Sequence, residues 1–148
     1  APNHCEVLLL EGWCVGARPQ TDAELSAPVN SLERTEDPRG EWRRYANDAL
    51  RGTYHELFGR LDMLLLLEAP SFDVVHGWRL EQEHKLRDRV TASGGDMSRV
   101  MDDAGVARFI SHYERITRHI LREMPGRADI VLELDAQRAA VHDAFDGV

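Results

Sequence analysis

The length, composition and charge of the chain exclude several classes of protein. Its 148 residues suffice for one domain with a buried core, and 43% hydrophobic with 30% charged residues is typical of a globular chain. A net charge of -8 does not favour binding to nucleic acid or to an anionic membrane, so neither is an expected partner. No apolar run approaches the ~20 residues that span a bilayer, and no signal peptide is evident, so we expect a cytoplasmic protein.

The pattern of apolar residues predicts an α/β layered fold. Three short apolar runs that do not alternate with polar residues are typical of strands covered on both faces of a parallel sheet. Segments with helical spacing separate them, which favours right-handed crossovers. In chain order we predict a strand at 7–10, a loop at 35–40, a helix at 41–61, a strand at 63–67, a helix at 72–90, a loop at 91–96, a helix at 106–124, and a strand at 130–134 followed by a last helix.

A single carboxylate, Glu11, follows the first predicted strand. Ligands bind at the carboxyl ends of parallel strands, where a carboxylate can hold Mg²⁺ or its bound waters. Gly12 would allow the backbone to approach such a ligand closely. The alternative hypothesis, a solvated glutamate at the end of a strand, accounts for the same residues equally well.

Charges of both signs occur at helical spacing in WRLEQEHKLRDR, residues 78–89. On a helix, one face carries Arg79, Glu83 and Arg87, and another carries Glu81, Lys85 and Arg89. One hypothesis is a solvated surface with salt bridges between residues four apart. The other is an anion clamp, in which the arginines stabilise a phosphoryl group during its transfer.

Three stretches resemble a known family: EGWCVGARP, EAPSFDVVHGWRLEQEHKLR and FISHYERITRHILREMPGRADIVLELD. They are similar to the C-terminal part of the D-glycerate 3-kinase-like proteins, a branch of the P-loop kinases related to uridine kinase and phosphoribulokinase. The similarity covers residues 7–135. It implies a parallel-sheet P-loop kinase fold with three α/β/α layers, and ATP and Mg²⁺ as cofactors.

The same resemblance implies roles for individual residues. Glu11 would be the catalytic acid near Mg²⁺, and Trp13 would border the pocket for the acceptor substrate. A lid-like segment around residues 71–96 would cover the ATP phosphates with Arg79, Lys85 and Arg87, and its two arginines would be catalytic.

The phosphate-binding motif of such kinases is absent from the sequence. GxxxxGK[ST] requires a lysine after a glycine-rich turn, and the single lysine, Lys85, has no glycine near it. Residues 1–148 thus resemble the C-terminal part of one kinase domain, without its central P-loop strand. The family's strand order, 2-3-1-4-5, implies an empty slot between residues 7–10 and 63–67. We expect a missing N-terminal segment or a self-associated second chain to fill it.

The leading hypothesis is ATP-dependent phosphoryl transfer to a small hydroxy acid such as glycerate in the complete protein. This chain alone would be inactive. One alternative is a non-catalytic α/β interaction module that keeps the fold without the nucleotide site. Another is a kinase for a different small acceptor, a nucleoside or pantothenate.

Overall fold

The structure, a computed structural model, describes residues 6–141. Helices and two strands alternate along this range, with one short 3-10 turn, Met97–Arg99. The elements are α1 (Asp22–Leu25), α2 (Ser31–Glu36), α3 (Glu41–Arg51), α4 (Thr53–Phe58), β1 (Leu65–Glu68), α5 (Phe72–Ser93), α6 (Asp103–Ser111), α7 (Glu114–Glu123) and β2 (Ile130–Glu133). Within the described range, no helix combines the length and apolar character needed to cross a membrane.

The sheet of the described range consists of β1 and β2, paired in parallel. Its register places Leu65 opposite Ile130 and Glu68 opposite Glu133. The predicted strands at 63–67 and 130–134 are therefore observed with small shifts of their ends, and they are neighbours, as the predicted strand order requires. The mixed α/β architecture with a small parallel sheet is confirmed.

The predicted strand at residues 7–10 is wrong. This segment is irregular, and the side chains of Leu8 and Leu9 are 86% exposed. An apolar run predicts a strand only where a neighbouring strand pairs with its backbone and a layer covers its side chains. Among the described residues, the sheet consists of β1 and β2, and the side chains of Leu8 and Leu9 are uncovered.

Burial of the sheet on both faces is also wrong for the described range. Leu66 in β1 is 7% exposed, whereas Leu65 and Leu67 are 47% and 58% exposed. Successive side chains of a strand point to opposite faces. One face of β1 therefore packs on a core cluster with Ala17, Ile120 and Met124, and the other lacks a covering layer here.

The long helix α5 confirms the prediction at residues 72–90. The side chain of Ser71 accepts a hydrogen bond from the Val74 amide, and Gly94, with φ of 63°, ends the helix in a left-handed conformation. The predicted loop at 91–96 consequently begins three residues later than expected. A second core cluster, Phe72, Val106 and Ile110, joins α5 to α6.

Two helices predicted as continuous are each divided in two. The helix predicted at 41–61 breaks at Gly52, whose φ and ψ of -102° and -106° are not helical. The helix predicted at 106–124 is interrupted at His112 and Tyr113, between α6 and α7. Neither of these two residues is a strong helix breaker, so the second interruption leaves no clear mark in the sequence.

The remaining differences lie in the connections. The short helices α1 and α2 were not predicted, and α2 extends into the predicted loop at 35–40. Instead of beginning the last predicted helix, the chain after β2 forms a turn with an isolated antiparallel bridge between Leu134 and Ala140. The rest of that predicted helix lies outside the described residues.

Candidate functional site

The first predicted site residue, Glu11, lies in the irregular segment before a turn at residues 13–16. Its side chain is exposed, and it makes no hydrogen bond or ion pair with the described residues. The strand end on which the prediction relied is therefore absent. A solvated, uncompensated carboxylate remains chemically suited to one coordination position of Mg²⁺, which usually takes one or two carboxylates besides waters and phosphates.

Trp13 is held against α7 by two contacts. Its ring stacks on Tyr113, with centroids 4.8 Å apart and an angle of 12° between the planes. Its indole Nε1 donates a hydrogen bond of 3.0 Å to Thr117 Oγ1. Stacking and a hydrogen bond together fix the position of an aromatic side chain that would otherwise be mobile in a turn.

The three predicted lid residues lie on α5, and two of them pair with side chains of the same helix. Arg79 is 2.9 Å from Oε2 of Glu83, and Lys85 pairs with Glu81, so two of the predicted pairs four residues apart are observed. Glu83 is 1% exposed, so the first pair is not the solvated surface pair that was predicted.

Arg87 contacts the segment that leads into α6. It donates a hydrogen bond of 2.8 Å to the Met101 carbonyl and lies 3.6 Å from Asp103. Glu83 also binds this segment, because its Oε1 accepts from the Met101 amide at 2.8 Å. These two side chains thus hold α5 to the beginning of α6.

A row of ring contacts connects Arg79 to Trp13. The Arg79 guanidinium lies 5.5 Å from the centroid of Phe109. Phe109 packs at 5.1 Å on Tyr113, which in turn stacks on Trp13. The structure therefore brings one predicted lid residue and the predicted acceptor-side residue into a single contact path. Glu11, Lys85 and Arg87 have no contact with this path among the described interactions.

A cavity of about 580 Å³ lies beside Tyr113, between α2, α3 and α7. Its apolar wall includes Cys14, Leu50 and Ile116. Trp13 is not part of the wall, but it is adjacent to Cys14 in sequence and to Tyr113 in space. Burial raises the pKa of the Cys14 thiol to about 11, so this side chain is protonated and unreactive at neutral pH.

Two buried arginines form the polar side of the cavity. Arg115 donates to the carbonyls of Glu24 and Ala27 at 2.9 and 2.6 Å and to both carboxylate oxygens of Glu33. Arg43 donates to the carbonyls of Leu25 and Asp37 at 2.8 and 2.9 Å. Because a buried carbonyl needs a hydrogen-bond donor, the two arginines supply donors to the carbonyls of Glu24, Leu25 and Ala27, at and after the end of α1.

The same contacts explain why α3 buries its polar side. Arg43 and Asn47 are buried, whereas Trp42 and Tyr45 are 72% and 71% exposed. Asn47 accepts from the Gln20 amide at 2.7 Å and donates to the Gln20 carbonyl at 3.0 Å. Two aromatic residues of the predicted apolar stripe, Trp42 and Tyr45, are thus largely exposed, whereas Leu50 packs on the core cluster. The polar side is buried because α3 binds the backbone at Gln20 and at the end of α1 through hydrogen bonds.

The carboxylates of this network stay ionised. Burial acts to raise the pKa of Glu33, but hydrogen bonds from Arg115 and the Val29 amide and the charges of Arg115 and Arg43 outweigh it and lower the pKa. The pKa of Asp37 is lowered in the same way: burial opposes, and the amides of Trp42 and Arg43 and the charge of Arg43 prevail.

Sequence reasoning missed two further groups. Glu68 and Glu133 end the paired strands opposite each other, and burial together with the charge of Glu133 raises the pKa of Glu68. His119 lies in the cavity wall and is 8% exposed. A glutamate at the end of each apolar run could have identified Glu68 and Glu133 from the sequence. Nothing in the sequence distinguishes His119. The described residues contain no cluster of three or more metal-ligating side chains.

No protein-family model matches the chain. It is 32% identical over 112 residues to Uncharacterized kinase mug58 of Schizosaccharomyces pombe, over 76% of this chain and 37% of that protein. Its fold is similar to that of a D-glycerate 3-kinase from Cryptococcus neoformans var. grubii serotype A, with a TM-score of 0.61 and 20% identity over 88% of this chain and 46% of that chain.

The chain therefore spans less than half the length of either protein. Within that length, the resemblance predicted from the sequence is confirmed: the fold is shared with a D-glycerate 3-kinase, and a protein named as a kinase is similar in sequence.

Proposed function

We propose that this chain forms part of an ATP-dependent small-molecule kinase, which transfers the terminal phosphoryl group of ATP to a hydroxyl of a small hydroxy acid such as glycerate. The sequence similarity to a protein named as a kinase, over 76% of the chain, carries the proposal. The fold likeness to a D-glycerate 3-kinase supports the choice of acceptor. A nucleoside or pantothenate is the alternative acceptor.

The proposed roles follow from the chemistry of each side chain. Glu11 would hold Mg²⁺, which supplies charge neutralisation at the phosphates when bound. Arg79, Lys85 and Arg87 would cover the ATP phosphates, and they would have to exchange their present partners for phosphate oxygens. Trp13 would border the acceptor. Its contact path to Arg79 would couple the position of the lid to the acceptor side.

The phosphate-binding loop would come from outside these 148 residues, from an N-terminal segment of a longer polypeptide or from a second chain. The uncovered face of β1, with Leu65 and Leu67, and the exposed Leu8 and Leu9 support an additional layer here. Light scattering on the purified chain tests this: a clean monomer at all concentrations would argue against a second copy and leave the N-terminal segment.

One observation favours the non-catalytic module as a second candidate. Each predicted lid residue already has a partner: Glu83 for Arg79 and Glu81 for Lys85 within the lid, and the Met101 carbonyl after the lid for Arg87. A surface whose basic side chains are all engaged needs no phosphate to be stable.

Kinetics of a Glu11→Gln variant separate the two candidates. In the longest native polypeptide that contains this chain, we expect D-glycerate-dependent release of ADP. The variant should lower kcat by at least about 100-fold with an unchanged unfolding midpoint, because it removes the charge and keeps the shape. Glu6→Gln, a nearby exposed carboxylate, is the matched control. Turnover of Glu11→Gln equal to that of the control would contradict the role of Glu11, and absence of turnover in the parent would favour the module.

A second measurement uses the chain alone. Without a phosphate-binding loop, its affinity for MgATP should not be better than about millimolar, or about -4 kcal/mol. Calorimetric binding in the micromolar range would show that these residues bind nucleotide without the loop.

A further inference from the structure

Two side chains in the cavity wall have hydrogen-bond donors without an acceptor among the described residues, unlike the two buried arginines beside them. The buried arginines, Arg43 and Arg115, are occupied by carbonyls and carboxylates. The other two groups are His119, deep in the wall, and Arg18, at its exposed edge. Both are hydrogen-bond donors, so together they favour a ligand that carries acceptor oxygens.

The protonation of His119 follows from its neighbours. Its Nδ1 lies 3.1 Å from the Arg122 guanidinium, which has only N–H donors, so Nδ1 must accept. Burial lowers the pKa of the imidazole, which is therefore neutral at pH 7 and carries its proton on Nε2.

The Nε2–H group of His119 has no hydrogen-bond partner among the described residues, although the side chain is nine-tenths buried. A buried donor without an acceptor is unfavourable and is rare in native structures. Because Nε2 is closed to solvent, a ligand oxygen can reach it only after a small rotation of the ring or a shift of the adjacent wall. Side-chain changes of this size are common on binding.

Arg18 differs from the other arginines of the wall. It makes no hydrogen bond or ion pair with the described residues, and its charge acts on Glu123 only at longer range. A guanidinium in this state can bind a carboxylate through two parallel hydrogen bonds without first losing a partner.

Resting on the proposed function, we propose that the cavity is the acceptor site and binds a small organic acid, with the carboxylate at Arg18 and a further oxygen at His119 Nε2. The volume of about 580 Å³ lies within the range of pockets for drug-sized ligands. Glycerate would therefore fill only part of it, and acids with a larger apolar body also fit beside Leu50 and Ile116.

The test titrates the chain with three probes by calorimetry: D-glycerate, pantothenate as a larger hydroxy acid, and glycerol, which has the carbons and hydroxyls of glycerate without the carboxylate. We expect at least one acid to bind with a dissociation constant of about 1 mM or lower, and glycerol at least about tenfold more weakly. Equal binding of glycerol, or no binding of either acid, overturns the proposal.

Substitutions test the two proposed contacts of the ligand, with Arg18 and with His119. Arg18→Gln and His119→Phe should each weaken binding of the acid by about tenfold or more, and His119→Gln, which keeps an N–H donor, should restore part of the loss. Arg34→Gln, an exposed arginine of α2 outside the cavity wall, is the control and should bind as the parent does. If His119→Phe does not fold, the exposed Arg18 still decides, and parent-like binding by Arg18→Gln overturns the site.

Failure of this site can be distinguished from failure of the proposed function. If the longer polypeptide phosphorylates D-glycerate and Arg18→Gln leaves KM unchanged, the kinase stands and the cavity is not its acceptor site. If the acid binds and the variants abolish binding while no phosphoryl transfer occurs, the cavity stands as a binding site and the kinase assignment is lost.

Discussion

Arginine–carboxylate pairs serve different purposes in two regions of the molecule. Beside the cavity, Arg43 and Arg115 are buried and bind mostly backbone carbonyls of residues 24–37. In the lid, the Arg79 side chain is 22% exposed and its partner Glu83 is 1% exposed, and the neighbouring pair, Lys85 with Glu81, lies in solvent. In the first region, charged side chains fix the backbone of residues 24–37. In the second region, charged side chains pair with each other, so a basic side chain can exchange its carboxylate partner for another anion.

We expect the largest effect on stability from a substitution in the first region, beside the cavity. Arg115→Ala leaves Glu33 buried without its main partner and removes the donors of two carbonyls, so we expect a loss of about 3–5 kcal/mol in the free energy of unfolding. Arg118 lies on the same helix, and its half-exposed side chain pairs with Glu114 and lies over the Phe72 ring. Arg118→Ala should therefore cost clearly less, about 1 kcal/mol. Urea denaturation of both variants measures the difference. Losses of similar size would show that burial of the network contributes little.

The next effect lies in the lid. Arg79→Ala leaves the Glu83 carboxylate buried beside an empty position, with an expected loss of about 1.5–3 kcal/mol. Arg89→Ala, exposed on the same helix, should be close to neutral. The thermal midpoints of the two variants provide the check. This result matters for any kinetic study, since a fall in kcat of an Arg79 variant has to be corrected for unfolding. Equal midpoints would mean that Glu83 is stabilised by Met101 alone.

A smaller effect depends on pH. The pKa of His119 is lowered below its ordinary value of 6.5, chiefly by burial, although Glu123 and Glu24 act in the opposite direction. The unfolded chain therefore takes up a proton at higher pH than the folded chain, and stability falls as the pH decreases through 6.5. Between about pH 7.5 and about pH 5.5, His119→Gln should lose less stability than the parent. His55→Gln, exposed on α4, should behave as the parent does, and identical curves for all three proteins would refute the assignment.

We expect the smallest effect on stability from a substitution in the exposed pair of the lid. Lys85→Met removes an exposed pair with Glu81, and salt screens such pairs, so the unfolding midpoint should not change measurably. A clear loss of stability would mean that the lid depends on this contact. In the longer polypeptide, the same variant should weaken MgATP binding if Lys85 lies over the phosphates.

The sequence predicted elements well where local signals determine them. Helix α5 has a serine cap, a long periodic stretch and Gly94 at its end, and β2 is a short apolar run before an acid. Residues 7–10 have the same local character as β2, but whether they form a strand depends on a neighbour that the described chain does not supply. The prediction of a strand at residues 7–10 failed because strand pairing is not a local property.

The cavity was less predictable for a related reason. Periodicity assigns apolar side chains to the interior, yet α3 turns Arg43 and Asn47 inward because the backbone of residues 20–26 needs hydrogen-bond partners. Nothing in the order of residues distinguishes these polar positions from exposed ones such as Arg44. Trp13 was singled out only through the family resemblance, and its position beside the cavity depends on Tyr113, where a predicted continuous helix is interrupted.

The stack of Trp13 on Tyr113 also gives this part of the molecule an optical signal of its own. An indole that packs against a phenol ring and donates to Thr117 emits at a different wavelength and with a different yield from one in water. The other two tryptophans are Trp42, which is largely exposed on α3, and Trp78, on α5. With both replaced by phenylalanine, the fluorescence lifetime of Trp13 would report directly on the junction of α6 and α7, on the nanosecond timescale and without an added dye.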